Sequence, residues 1–115
     1  MADVFLRIRF DEDRRLGPGK VALLEAIATT GSISGAARAM GMSYRRAWLL
    51  LEALNAMFAE PVAATSHGGR RGGGASVTPF GLEVIQRYRA IEATTRSAAK
   101  RDVDFLEGAL RRPGD

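Results

Sequence analysis

Four consecutive residues, Ser43, Tyr44, Arg45 and Arg46, bring a hydroxyl, a phenol and two guanidinium groups to the start of an apolar-periodic segment. Two more guanidinium groups, Arg70 and Arg71, stand inside residues 66–74, SHGGRRGGG, whose five glycines cannot pack as core. An arginine can make two hydrogen bonds to a guanine edge, worth roughly 1–3 kcal/mol of base discrimination. Its planar fork binds phosphate equally well. Ser43, Arg45 and Arg46 are therefore candidates for reading base edges, and Tyr44 for a phosphate or a thymine methyl. Leu49, on the exposed side of the same segment, is a candidate for a thymine methyl. The alternative for Arg45 and Arg46 is ordinary solvated arginine. In the glycine-rich loop, Arg70 and Arg71 are expected to lie along a backbone or in a minor groove, with Ser66 and His67 beside them. An exposed loop histidine is more often incidental.

Other chemistries are short of residues. The 115-residue chain has no cysteine and one histidine, which removes thiolate sites and most imidazole constellations. No Asp/Glu/His grouping has ligand spacing and no catalytic motif occurs, so neither an enzyme nor a metal or cofactor site is expected. A nucleotide-phosphate loop is also unsupported, because no Gly-Lys-Ser/Thr follows the glycines. No apolar stretch approaches the roughly 18 residues of a membrane span. The N-terminus, with Asp3, lacks a signal-peptide layout. The expectation is a small, soluble, cytoplasmic domain.

The formal charge of +4 comes from 17 Lys+Arg against 13 Asp+Glu. Residues 1–18 balance to zero, and residues 82–115 nearly so, with seven bases and six acids. Residues 61–81 carry Arg70 and Arg71 and no acid. The excess thus gathers in the middle of the chain, which permits nucleic-acid binding without demonstrating it.

The elements that would position these groups follow from periodicity. Leu6, Ile8 and Phe10 alternate with Arg7 and Arg9 as in a strand, and Gly17-Pro18-Gly19 marks a turn. Leu23, Leu24, Ile27 and Ala28 have helical spacing within 20–29, closed by Gly31. Ser32 caps a short helix to about Met40, and Ser43 caps a third to about Phe58. Residues 62–65 and 75–77 flank the glycine-rich loop as strands; a disordered linker would not explain the flanking Val62 and Val77. Thr78 and Pro79 then have the N-cap and first-position signature of a long fourth helix. Strand, three helices, hairpin and long helix is the order of a winged helix-turn-helix. The expected fold is mainly α with a small β wing (α+β): residues 1–81 the winged domain, residues 82–115 a C-terminal helical dimerisation segment.

Two helices that cross at a tight turn need a small residue at the crossing, a turn residue tolerant of positive φ, and apolar residues facing back. Ala37, Gly41, Ala47 and Leu50 have that spacing, although an ordinary helical hairpin in a bundle would also satisfy it. Leu82, Ile85, Tyr88 and Ile91, with Leu106 further on, form a stripe that calls for a partner surface. Its alternative is a helix folded back on the chain's own first helix.

Residues 31–48, GSISGAARAMGMSYRRAW, followed by 68–81, GGRRGGGASVTPFG, resemble the N-terminal DNA-binding domain of the ModE family of molybdate-responsive regulators. A looser likeness reaches LysR-type regulators, through the winged fold and the Thr-Pro-x-Gly entry to the last helix. The resemblance implies a homodimer on an inverted-repeat operator in double-stranded DNA, with residues 43–46 in the major groove and Arg70 and Arg71 in the wing. Complete ModE proteins continue into β-barrel domains that bind molybdate. Here the sequence stops at Asp115 after a helical segment, so molybdate sensing within it is not expected. A freestanding member, favoured by the 111–115 ending, or a fragment fits; the former would take its signal from a separate effector-sensing partner or act without one. The competing reading is a helical protein-interaction module, or a DNA-binding accessory protein independent of any effector.

Overall fold

A computed structural model describes residues 2–66 and 74–114. Its element order is β1 (Ile8–Arg9), β2 (Arg15–Leu16), α1 (Pro18–Thr30), α2 (Ile33–Ala39), α3 (Tyr44–Met57), β3 (Ala63–Thr65), β4 (Ala75–Val77) and α4 (Pro79–Gly108). This is the winged helix-turn-helix arrangement with a long C-terminal helix. One element exceeds the sequence reading. The N-terminal strand is half of a hairpin, with Ile8 opposite Leu16 and Arg9 opposite Arg15. A two-residue return strand with one apolar member is too short to show alternation.

Helix α1 is the hub. It buries Val21, Leu23, Leu24 and Ile27, a spread too wide for one face, because α2, α3, α4 and β4 all pack around it. It starts on Pro18, whose fixed φ suits the first helical position. It stops at Gly31, whose φ of 77° is left-handed and whose amide donates to Ile27 O. Ser32 and Ser43 cap α2 and α3 as the sequence indicates, accepting from Gly35 N at 2.9 Å and Arg46 N at 3.1 Å. Between those helices Gly41 takes a φ of 66°. Ala36, Ala37 and Ala47 are buried where the helices cross, and Leu50 packs half-buried at the edge.

The wing is braced at its base. β3 and β4 pair antiparallel, Ala63 to Val77 and Thr65 to Ala75. Ala75 N donates to Gly31 O at 2.9 Å, fastening β4 to the end of α1. On the other side, Asn55 of α3 accepts from Val62 N at 2.8 Å through its carbonyl and donates to Ala63 O at 3.2 Å.

Helix α4 corrects part of the expected dimer stripe. Val84, Tyr88 and Glu92 are buried inside the chain, and Ile85 is half-buried against the core. Tyr88 is therefore a core residue and not a partner contact: its ring is 1% exposed and its hydroxyl donates to Leu6 O at 2.7 Å. Burial, and then the nearby Glu92 carboxylate, push its phenol above the usual value, so it remains a donor. Sequence spacing marks an apolar helix face but not whose surface covers it. Leu82, Ile91 and Leu106 of the same expectation are exposed, and Leu110 lies beyond the helix end.

Candidate nucleic-acid interface

The capped start of α3 presents its side chains outward. Ser43 holds the first turn through its bond to Arg46 N, and the three following side chains, Tyr44, Arg45 and Arg46, are exposed. Leu49 is 47% exposed, beside Trp48 at 42%. The opposite face, Ala47, Leu51 and Leu54, is sunk in the core. An amphipathic helix with a cationic leading turn is the geometry that places N-terminal side chains at base edges in a major groove. Neither Arg45 nor Arg46 has a carboxylate partner among the described residues, so both guanidinium groups keep their donors available.

Trp48 sits at the margin of the buried face. Projection at 100° per residue puts it at the edge of the core face, and nearly half its surface meets solvent next to Tyr44 and Leu49. The three side chains give the exposed face an apolar and aromatic strip as well as charge.

The structure reaches the wing only at its root. Ser66 N donates to Gly74 O at 2.9 Å and the Ser66 hydroxyl accepts from Gly74 N at 3.1 Å, closing the base of the hairpin. His67, Arg70 and Arg71 lie outside the described residues.

Three residues of structural weight escaped the sequence reading. Asn55 clamps β3 to α3, and a lone helical asparagine carries no sequence signal for such a role. Arg7 and Arg15 stand on the N-terminal hairpin beside α3, where they line a cavity with Arg46. In the sequence they vanish into a segment whose charges cancel, because Asp11, Glu12 and Asp13 occupy the intervening turn. There Asp11 pairs with Arg14 at 2.5 Å, and that bond holds its carboxyl below the usual range.

Among the described residues no group of three or more His, Cys, Asp or Glu could hold a metal ion. None of their helices is long and apolar enough to cross a membrane.

Comparison with known proteins bears on this geometry. The family model described as bacterial regulatory helix-turn-helix protein, lysR family, matches residues 19–82, from α1 to the start of α4. The molybdenum-pterin-binding protein MopB of Rhodobacter capsulatus is 52% identical over 79 residues, covering 69% of this chain and 29% of its own. The molybdenum transport protein ModE of Azotobacter vinelandii is 37% identical, over 83% of this chain and 36% of its own. The DNA-binding transcriptional dual regulator ModE of Escherichia coli K12 is 33% identical, over 76% and 33%. The chain thus spans about a third of the length of these relatives, 29–36%. A crystal structure of a LysR family transcriptional regulator superposes with a TM-score of 0.55 over 82% of this chain and 30% of that one, at 14% identity, a likeness of fold. With the model match running through all of α2, α3 and the wing, the chain belongs to the lysR family of bacterial regulatory helix-turn-helix proteins.

Proposed function

We propose that this chain is a sequence-specific, double-stranded-DNA-binding transcriptional regulator acting in molybdate-related gene control. The observation that carries the reading is the leading turn of α3: a serine-capped helix end with Tyr44, Arg45 and Arg46 exposed and uncompensated by acids. The molybdenum link rests on the relatives, whose names speak of molybdenum transport and transcriptional regulation. The protein acts in the cytoplasm and has no catalytic role.

It works as a homodimer on an inverted repeat. Two α3 helices enter successive major grooves roughly 34 Å apart. Ser43, Arg45 and Arg46 read base edges, with Tyr44 and Leu49 against a phosphate or thymine methyl. Ser66, His67, Arg70 and Arg71 of each wing hold the flanking backbone. The exposed Leu82, Ile91 and Leu106 of α4 supply the contact between copies, Ile85 contributing at its margin.

Labelled duplexes from the neighbourhood of the protein's own gene, titrated at several salt concentrations, test the reading. Specific binding that weakens steeply with salt is expected. Equal affinity for every duplex rejects sequence specificity, and no binding at low salt rejects DNA binding. Arg45→Ala should flatten the preference among sequences, costing about 1–3 kcal/mol on the preferred site. Arg70→Ala should weaken all duplexes alike. Identical behaviour of the two variants would refute the division of labour.

A further inference from the structure

The N-terminal hairpin has two faces of opposite character. Ile8, Phe10 and Leu16 turn toward α4 and the aromatic pairing of Phe58 with Phe80. Arg7 and Arg15 turn the other way, onto a cavity of about 380 Å³ that Lys20 of α1 and Arg46 of α3 also line. The remaining walls are glycine, proline and apolar side chains, with no carboxylate among them. Four cations with no counter-charge on one cavity wall repel one another, and such a cluster is relieved by an anion. Lys20 already registers the crowding. Its ammonium donates to Arg15 O at 2.9 Å, while burial, then Arg15 and Arg7, hold it below the usual lysine range. Two or three guanidinium forks and an ammonium form a donor set suited to a phosphate's oxygens.

Location narrows the source of that phosphate. Arg46 belongs to the leading turn of α3, so the cavity borders the helix end assigned to base readout. Lys20 sits at the first turn of α1, whereas the wing base is bonded to Gly31 at the last. The cavity and the wing are therefore at opposite ends of a helix about 20 Å long, and they also meet α3 at different points, the cavity at Arg46 and Leu50 and the wing base at Asn55. A groove entered by α3 has a sugar–phosphate backbone along each edge, and the wing accounts for one.

We propose that the cavity bounded by Arg7, Arg15, Lys20 and Arg46 receives a backbone phosphate of the duplex that α3 enters, on the edge away from the wing. This rests on the proposed reading that α3 lies in a DNA groove. The contact is independent of sequence: it fixes register and adds affinity on every duplex, and it draws Arg46 from a base edge to the backbone, leaving discrimination to Ser43 and Arg45.

Three measurements test it on the full chain. In the double variant Arg7→Ala/Arg15→Ala, two exposed side chains, the dependence of log affinity on log salt should become shallower by about one, equally on a preferred and on a random-sequence duplex. Single methylphosphonate substitutions walked along the preferred duplex should reveal one position that weakens the wild type but not the double variant. Inorganic phosphate and molybdate, titrated calorimetrically into free protein, should bind no more tightly than millimolar. An unchanged salt slope in a variant that melts like the wild type overturns the proposal, as does a methylphosphonate profile identical for both proteins. Micromolar binding of either free oxyanion, abolished in the double variant while its DNA slope is unaltered, overturns it in favour of a small-anion site. A wild type that binds no duplex overturns the parent reading, and this one with it; the other failures leave the parent intact.

Discussion

At the scale of single residues, two glycines of α4 show how position decides the effect of one methyl group. A Cβ on Gly81 would stand 2.0 Å from Val62 O and 2.7 Å from a methyl carbon of Val77, with backbone that cannot yield. Gly81→Ala should lower stability by about 3 kcal/mol, the upper range for overpacking. A Cβ on Gly108 meets nothing within 4 Å, and Gly108→Ala should be neutral or stabilise by up to about 1 kcal/mol through helix propensity. Urea denaturation of the two variants checks both signs. The Thr78-Pro79-Phe80-Gly81 run is thus legible in chemistry and not only in pattern. Thr78 accepts from Gly81 N at 2.9 Å and its hydroxyl donates to Pro61 O at 2.7 Å, so the helix start is bolted onto the Pro61–Val62 segment, just before β3, that Gly81 touches. The caps at Ser32, Ser43 and Thr78 were readable because capping is local. Tyr88 was misread because its decisive bond reaches Leu6, 82 residues away, and Asn55 went unseen because its bonds, seven and eight residues on, follow no helical or strand period.

At the scale of elements, α4 is held by a charged cluster whose links to Glu25 and Asp3 no local rule announces. Arg89 binds Glu25 of α1 at 2.5 Å and Glu92 at 2.7 Å, while Arg96 reaches Asp3 at 3.0 Å. Glu92 is 2% exposed; its second oxygen lies 3.6 Å from Arg96, too far for a hydrogen bond. Both hydrogen-bonded carboxylates keep the Arg89 guanidinium firmly protonated. Glu92→Ala should destabilise by about 1–3 kcal/mol. That is less than the 3–5 kcal/mol of a deeply buried broken pair, because the arginines left behind are more than a third exposed and can rehydrate. Chemical denaturation measures it, and an unchanged midpoint would show that the cluster does not anchor the helix. In the sequence Glu92 is one of six acids in a segment that neutralises itself, which reads as solvated surface. Helix boundaries fared better: α2, α3, β4 and the start of α4 emerged within a residue or two, because caps and breakers bracket them. The return strand β2 did not, having no period to display.

For the whole molecule, apolar surface remains where the monomer offers nothing to cover it. Phe105, Leu106 and Leu110 are 64–75% exposed near the end of a body 60 Å long. Under the dimer proposal, Leu106→Glu with Phe105→Ser should shift sedimentation at low micromolar concentration from dimer to monomer while leaving the melting temperature of the winged domain within a few degrees. Unaltered sedimentation would place the contact elsewhere on α4. Fold class and the serine-capped, exposed start of α3 were legible because helical periodicity and capping are written into short windows. The cationic cavity was not, because it assembles β1, β2, α1 and α3 from segments that look neutral or unremarkable one at a time.

The anchoring of α4 also has a mechanical consequence. Arg96 makes the last of the described hydrogen bonds by which α4 grips the rest of the domain, to Val4 O at 3.3 Å. From there to Gly108 the helix runs on for roughly 18 Å. A tilt of about 10° at that fulcrum displaces the tip by about 3 Å, close to the 3.4 Å rise of one base-pair step. If two copies meet at their tips, the stiffness of the Glu92–Arg96 joint sets how many half-site spacings the pair tolerates. A firm joint enforces one spacing, and a loosened one accepts its neighbours.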